Sequence, residues 1–122
     1  MSDTNYTPDT GAHEMLAELR SILGAKLVAY VAGIHSTDTI RHWIAGTTPL
    51  PDRTVLDRLH VALHAARLVT AHDTHAVAQA WFQGRNPALD DQPPAKVLRE
   101  ADLIAARGTV VAAASEFATH SC

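Results

Sequence analysis

The chain has 122 residues, 47% apolar and 19% charged, with 10 Lys+Arg against 13 Asp+Glu and a net charge of −3. That balance belongs to a soluble globular protein and excludes both a disordered chain and a strongly basic, whole-surface nucleic-acid binder. The one cysteine, Cys122, excludes an intramolecular disulfide and a cysteine zinc cage. No membrane span and no signal peptide are visible, so a cytoplasmic, reducing location is expected.

Residues 1–10 are polar and are expected to form a flexible tail. From His13 onward, Met15, Leu16, Leu19, Ile22 and Leu23 recur at three- and four-residue spacing, which predicts a helix ended by Gly24. AKLVAYVA predicts a short second helix followed by Gly33. Ser36 suits the N-cap of a third helix, TDTIRHWIA, because its hydroxyl can accept from an unpartnered backbone N–H; Gly46 stops it. Asp52 suits the cap of a longer helix over residues 53–71, with Leu56, Leu59, Leu63 and Ala66 as its apolar stripe.

A fifth helix is expected from near Thr74 to Gln83, broken by Gly84 and the Asn86–Pro87 step. DDQPP reads as a loop, with Asp90 and Asp91 in a solvated turn, and Pro93–Pro94 can open a short helix, AKVLRE. Asp102 suits the cap of a last apolar helix, in which Gly108 costs about 1 kcal/mol relative to alanine. Nothing alternates like a strand, so the fold class is all-α.

The second and third helices, joined by a tight turn, form a helix-turn-helix candidate. In the third, Ile40, Trp43 and Ile44 fall on one face and are expected to pack inward. Thr37, Asp38, Arg41 and His42 point outward, with Thr39 between the two groups. Arginine and threonine on an exposed short helix can contact phosphates and base edges, so Ser36, Thr37, Thr39, Arg41 and His42 are the candidate DNA-binding residues. Residues 20–58 carry a charge of +2, against −4 for residues 1–19 and −1 for the remainder, so the weakly basic stretch is the candidate DNA-reading one. The bland alternative is a three-helix packing unit that touches no DNA. On its residues TIRHWIAG, the third helix resembles that of Xre-type regulators.

AVAQAWFQGRNPALDDQPPAKVLRE, followed by an apolar helix, resembles the toxin-binding domain of Xre/MbcA/ParS-type antitoxins. The matching positions are Ala78, Trp81, Phe82, Asn86, Leu89, Pro94, Val97 and Leu98, with the last helix over residues 103–117. Read as residues, Trp81, Phe82 and Phe117 are first of all candidates for the core, and for Trp81 that reading is favoured.

The resemblance implies a helix-turn-helix lobe with its long connecting helix over residues 11–70, then a small helical toxin-binding lobe over residues 71–122. It implies a type II antitoxin that occludes a NAD-consuming RES-domain toxin and represses its own operon by binding operator DNA, as a homodimer or a hetero-oligomer with toxin. Toxin-facing residues would be Arg85 and Asn86 in the loop, and Glu116, Phe117 and His120 on the last helix and tail. The alternatives are a solitary helix-turn-helix regulator whose C-terminal lobe serves dimerisation, and a protein-interaction module without DNA binding.

Eight histidines include His60 and His64 at i, i+4, a spacing that can chelate a metal, with His72 and His75 following. They share their face with Asp57 and Arg67, which reads as a solvated stripe, and no third ligand is fixed, so no metal is expected. No nucleophile motif, phosphate loop or dinucleotide fingerprint is present; no catalysis and no cofactor are expected.

Overall fold

The structure is a computed structural model that describes residues 8–120, with side chains from residue 11 to residue 119. Seven helices follow one another among the described residues: α1 (Pro8–Leu23), α2 (Ala25–Ala32), α3 (Thr37–Ala45), α4 (Arg53–Thr70), α5 (His75–Gln83), α6 (Pro94–Glu100) and α7 (Leu103–His120). A single 3₁₀ turn, Pro87–Leu89, lies between α5 and α6. The chain is all-α: among the described residues no strand forms, and the one extended pairing is an isolated bridge between Asn86 and Gln92.

Local chemistry sets the helix ends. The side chains of Ser36, Asp52 and Thr74 accept from the backbone N–H of Asp38, Val55 and Val77 at 3.2, 3.0 and 3.2 Å. Asp102 accepts from Ile104 and Ala105 at 3.1 and 3.3 Å. Each oxygen satisfies a donor that has no partner inside its helix. Gly33 and Gly46 end α2 and α3 in the left-handed conformation, φ 80° and 77°, which a side chain would oppose.

Two boundaries differ from expectation. Helix α1 begins at Pro8, ahead of the apolar pattern that starts at His13; proline suits a first helical position because its missing N–H would have no partner there. Residues 1–7 of the expected tail, and Cys122, lie outside the described residues. Second, the segment expected as plain loop contains the 3₁₀ turn, organised by Asn86, whose side-chain oxygen accepts from Ala88 N–H at 3.0 Å.

Helix α4 is the centre of the packing. It contacts α1, α2, α5 and α6, and lies most extensively against α7. Its buried alanines, Ala62, Ala65 and Ala66, let these neighbours approach closely around Leu59 and Val69. Leu16, Leu19, Val28, Ile40, Leu59, Phe82, Leu98 and Val110 belong to one continuous hydrophobic core, so the segments assigned to two lobes share it. No described polar or charged residue is fully buried. No described helix is long and apolar enough to cross a membrane.

Arg58 ties the second half of the chain to α4. Its Nη1 donates to the carbonyls of Leu98 and Ala101 at 2.5 and 2.8 Å, at the end of α6, and so fixes the corner into α7. Gly108 does not break α7, which runs through it, and a Cβ built there meets nothing within 4 Å. Gly108→Ala is therefore expected to raise stability by about 0.5–1 kcal/mol, read as a shift of the urea midpoint with unchanged m-value.

Candidate functional site

The end of α5 turns two adjacent aromatic rings in different directions, because neighbouring residues on a helix lie about 100° apart. Phe82 enters the core and is fully buried. Trp81 is partly buried and packs against the core, as its size leads one to expect, while the fully inward direction belongs to Phe82. Its ring meets Phe82 edge-on at 5.1 Å and 80°, and meets Phe117 of α7 at 6.3 Å and 52°.

The Trp81 and Phe117 rings form the wall of a cleft of about 360 Å³, lined by Trp81, Arg85, Asn86, Pro87, Ala113, Glu116 and Phe117. Four residues expected to face a toxin, Arg85, Asn86, Glu116 and Phe117, are thus gathered at one place from two segments distant in sequence. Arg85 and Glu116 are exposed, and Phe117 is half-buried. The fifth, His120, ends α7, and its side chain lies outside the described residues. Asn86 has a turn-building task as well. Its side-chain oxygen caps the 3₁₀ turn, and its backbone carbonyl accepts from Leu89 and Asp91, both at 2.9 Å. Asp90 and Asp91 complete the turn with φ 59° and 61°, a left-handed conformation that aspartate tolerates better than most residues. Both are exposed.

A larger cleft, about 620 Å³, lies where the α1–α2 junction meets α5 and α6. It holds none of the residues singled out for contact, and two of its polar groups are engaged internally: Gln79 donates to Ile22 O at 2.9 Å and Gln83 to Gln79 O at 3.1 Å. Chemistry therefore favours the smaller, aromatic cleft over the larger one.

The candidate DNA-binding residues sit on and just before α3, whose Ile40 and Trp43 are buried and whose Ile44 is half-buried. Ser36, Thr37 and Arg41 are exposed, and Thr39 and His42 are half-buried. Much of their bonding capacity is used within the chain. Ser36 caps the helix, Arg41 Nη1 pairs with Asp38 at 3.0 Å, and His42 Nδ1 bonds Thr47 Oγ1 at 2.9 Å. Two other cations of the weakly basic stretch are also engaged. Arg53 pairs with Asp57 at 3.4 Å, and Arg58 turns inward to the end of α6.

His60 and His64 are exposed on α4. Among the described residues, no group of three or more His, Cys, Asp or Glu is placed to hold a metal ion. Beside His60, Glu18 of α1 takes two bonds from Arg67 of α4, at 2.8 and 2.5 Å. Bonding to the guanidinium holds the Glu18 carboxyl below its usual value of 4.5. A lowered carboxylate contributes stability above its unfolded value, and the contribution is lost as pH falls through the folded one. The Tm difference between the wild type and Glu18→Gln is therefore expected to be positive at pH 7 and to shrink as pH falls below 4.5 and through the lowered value of the folded state. The pair is exposed, so its full contribution stays below about 1 kcal/mol.

No family model matches the chain, and no curated protein matches it. Among solved structures, it is similar to a chain in the crystal structure of the M. tuberculosis MbcT–MbcA toxin–antitoxin complex, with TM-score 0.64 and 20% sequence identity. The match covers 85% of this chain and 94% of that one. At this identity the likeness establishes the fold.

Proposed function

We propose that this chain is the antitoxin of a type II toxin–antitoxin pair and acts by binding, not by catalysis. The observation that carries the reading is the fold likeness, over 85% of this chain, to a chain of a toxin–antitoxin complex. The aromatic cleft supports it, because a partly buried tryptophan beside an exposed arginine is the composition of a binding hot spot. The toxin's class follows from the motif resemblance: a RES-domain enzyme that consumes NAD, whose active-site entrance is covered by the end of α7 and the tail. The pair would work in the cytoplasm as a hetero-oligomer. The test is co-expression with the product of the adjacent open reading frame. Stoichiometric co-elution of the two chains through size exclusion is expected, and separate elution would overturn the reading.

Operator binding through α3 belongs to the same proposal. Arg41 is the one arginine among the candidate contacts, and its exposed pair with Asp38 contributes little in water, so it can be exchanged for a phosphate or base contact. Arg41→Ala is expected to weaken operator binding by about 1–3 kcal/mol, measured by fluorescence anisotropy at fixed salt. An unchanged affinity would remove Arg41 from the interface.

A further inference from the structure

We propose that the cleft between α5 and α7 receives one apolar side chain of the toxin with a toxin carboxylate beside it, Trp81 and Phe117 packing the side chain and Arg85 pairing the carboxylate. This inference rests on the toxin-binding reading above and adds the chemistry of the partner. The volume, about 360 Å³, lies at the low end of the range for small-ligand pockets and suits a single large side chain.

Ring geometry decides against a flat base or nicotinamide held between the aromatics. A sandwich needs parallel rings separated by two van der Waals gaps, roughly 7 Å. Trp81 and Phe117 are 6.3 Å apart and inclined by 52°, so they form one continuous wall on which a side chain packs.

Charge complementarity supplies the second half. Five of the chain's eight arginines are committed, and Arg20 and Arg107 do not line this cleft. Arg41, Arg53 and Arg67 are in ion pairs, Arg58 is on the Leu98 and Ala101 carbonyls, and Arg99 stacks over the Tyr30 ring at 4.6 Å. Arg85, exposed in the lining of the aromatic cleft, has no ion pair with any described residue, whereas Glu116, the carboxylate in the same lining, has an interaction of its own. A guanidinium presents a planar fork of donors that matches a carboxylate in two-point contact, and beside an apolar wall that contact is shielded from water.

The experiment uses the full chain and the toxin encoded beside it, with affinity measured by titration calorimetry for the wild type, Arg85→Lys, Arg85→Glu and Trp81→Ala. Arg85→Glu and Trp81→Ala are expected to weaken toxin binding by at least about 30-fold, and Arg85→Lys by less, because one ammonium keeps the charge but loses the fork. Replacing the paired toxin carboxylate by lysine is expected to restore affinity to Arg85→Glu. The two Arg85 variants are expected to melt within about 2 °C of the wild type, since Arg85 is exposed, and they carry the test should Trp81→Ala, which loses packing against Phe82, melt lower.

A wild-type complex with unchanged affinity in Arg85→Glu would overturn this inference and leave the toxin-binding reading standing. No wild-type complex would overturn both. Loss of self-association in Arg85→Glu at unchanged toxin affinity would mean that a second copy of the chain occupies the cleft. Saturable NAD binding to the chain alone, lost in Trp81→Ala, would mean a nucleotide site. Either result would overturn the inference.

Discussion

Deletion of residues 115–122 is expected to release a partner toxin from inhibition, with an affinity loss of about 100-fold or more. The deletion removes Glu116 and Phe117 and so takes away one side of the cleft, leaving Trp81 with Phe82 as its one remaining described aromatic neighbour. It also removes the tail expected to cover the toxin's active-site entrance. Loss of an aromatic anchor alone accounts for about 30-fold or more, and loss of the covering segment adds to it. The buried residues of α7 that hold it on α4, Ala106, Val110, Ala113 and Ala114, all remain, so the shortened chain is expected to stay folded. Phe117→Ala is the point version, expected to give a smaller loss in the same direction. Toxin activity assayed with equimolar shortened protein reads the outcome. Intact inhibition would show that the end of α7 does not cover the toxin.

Phe82→Ala is expected to be the most destabilising single substitution in this region, at about 3–5 kcal/mol. The ring is fully buried in the one core shared by both halves of the chain, and it also supports Trp81 edge-on. Small domains are stable by about 5–15 kcal/mol in total, so the variant should be marginally folded at 37 °C. A urea titration followed by circular dichroism reads the loss. The contrast with Trp81→Ala is informative. Adjacent aromatic residues on one helix are expected to separate, Phe82 chiefly setting stability and Trp81 chiefly setting partner affinity.

How far the sequence foretells this arrangement depends on the range of the interactions. The caps at Ser36, Asp52 and Asp102 were legible because each bond spans two or three residues and needs one oxygen in one place. The stops at Gly33 and Gly46 were legible for a similar reason, since glycine adopts the left-handed conformation with little strain.

Contacts across the fold were not legible. The Arg58 clamp joins residues 40 and 43 positions apart, and nothing in the composition separates an arginine that caps a distant helix from one that faces DNA. Counting Arg58 toward the weakly basic stretch therefore overstated the charge available there. For Trp81, size argued for packing against the core, which it does, but the meeting of its ring with Phe117 joins helices distant in sequence and was not legible. The candidate cleft was foretold as a list of positions and not as a shape. Arg85, Asn86, Glu116 and Phe117 came from motif resemblance, whereas the aromatic wall that joins them comes from the way α7 lies along α4.

The proposed antitoxin role requires that this chain silence a NAD-consuming partner by binding it. The most direct test is to purify the product of the adjacent open reading frame with and without this protein and follow NAD over time. A stoichiometric complex is expected, with NAD loss only when this protein is absent. No complex, or NAD consumption that proceeds equally with the chain in excess, would contradict it.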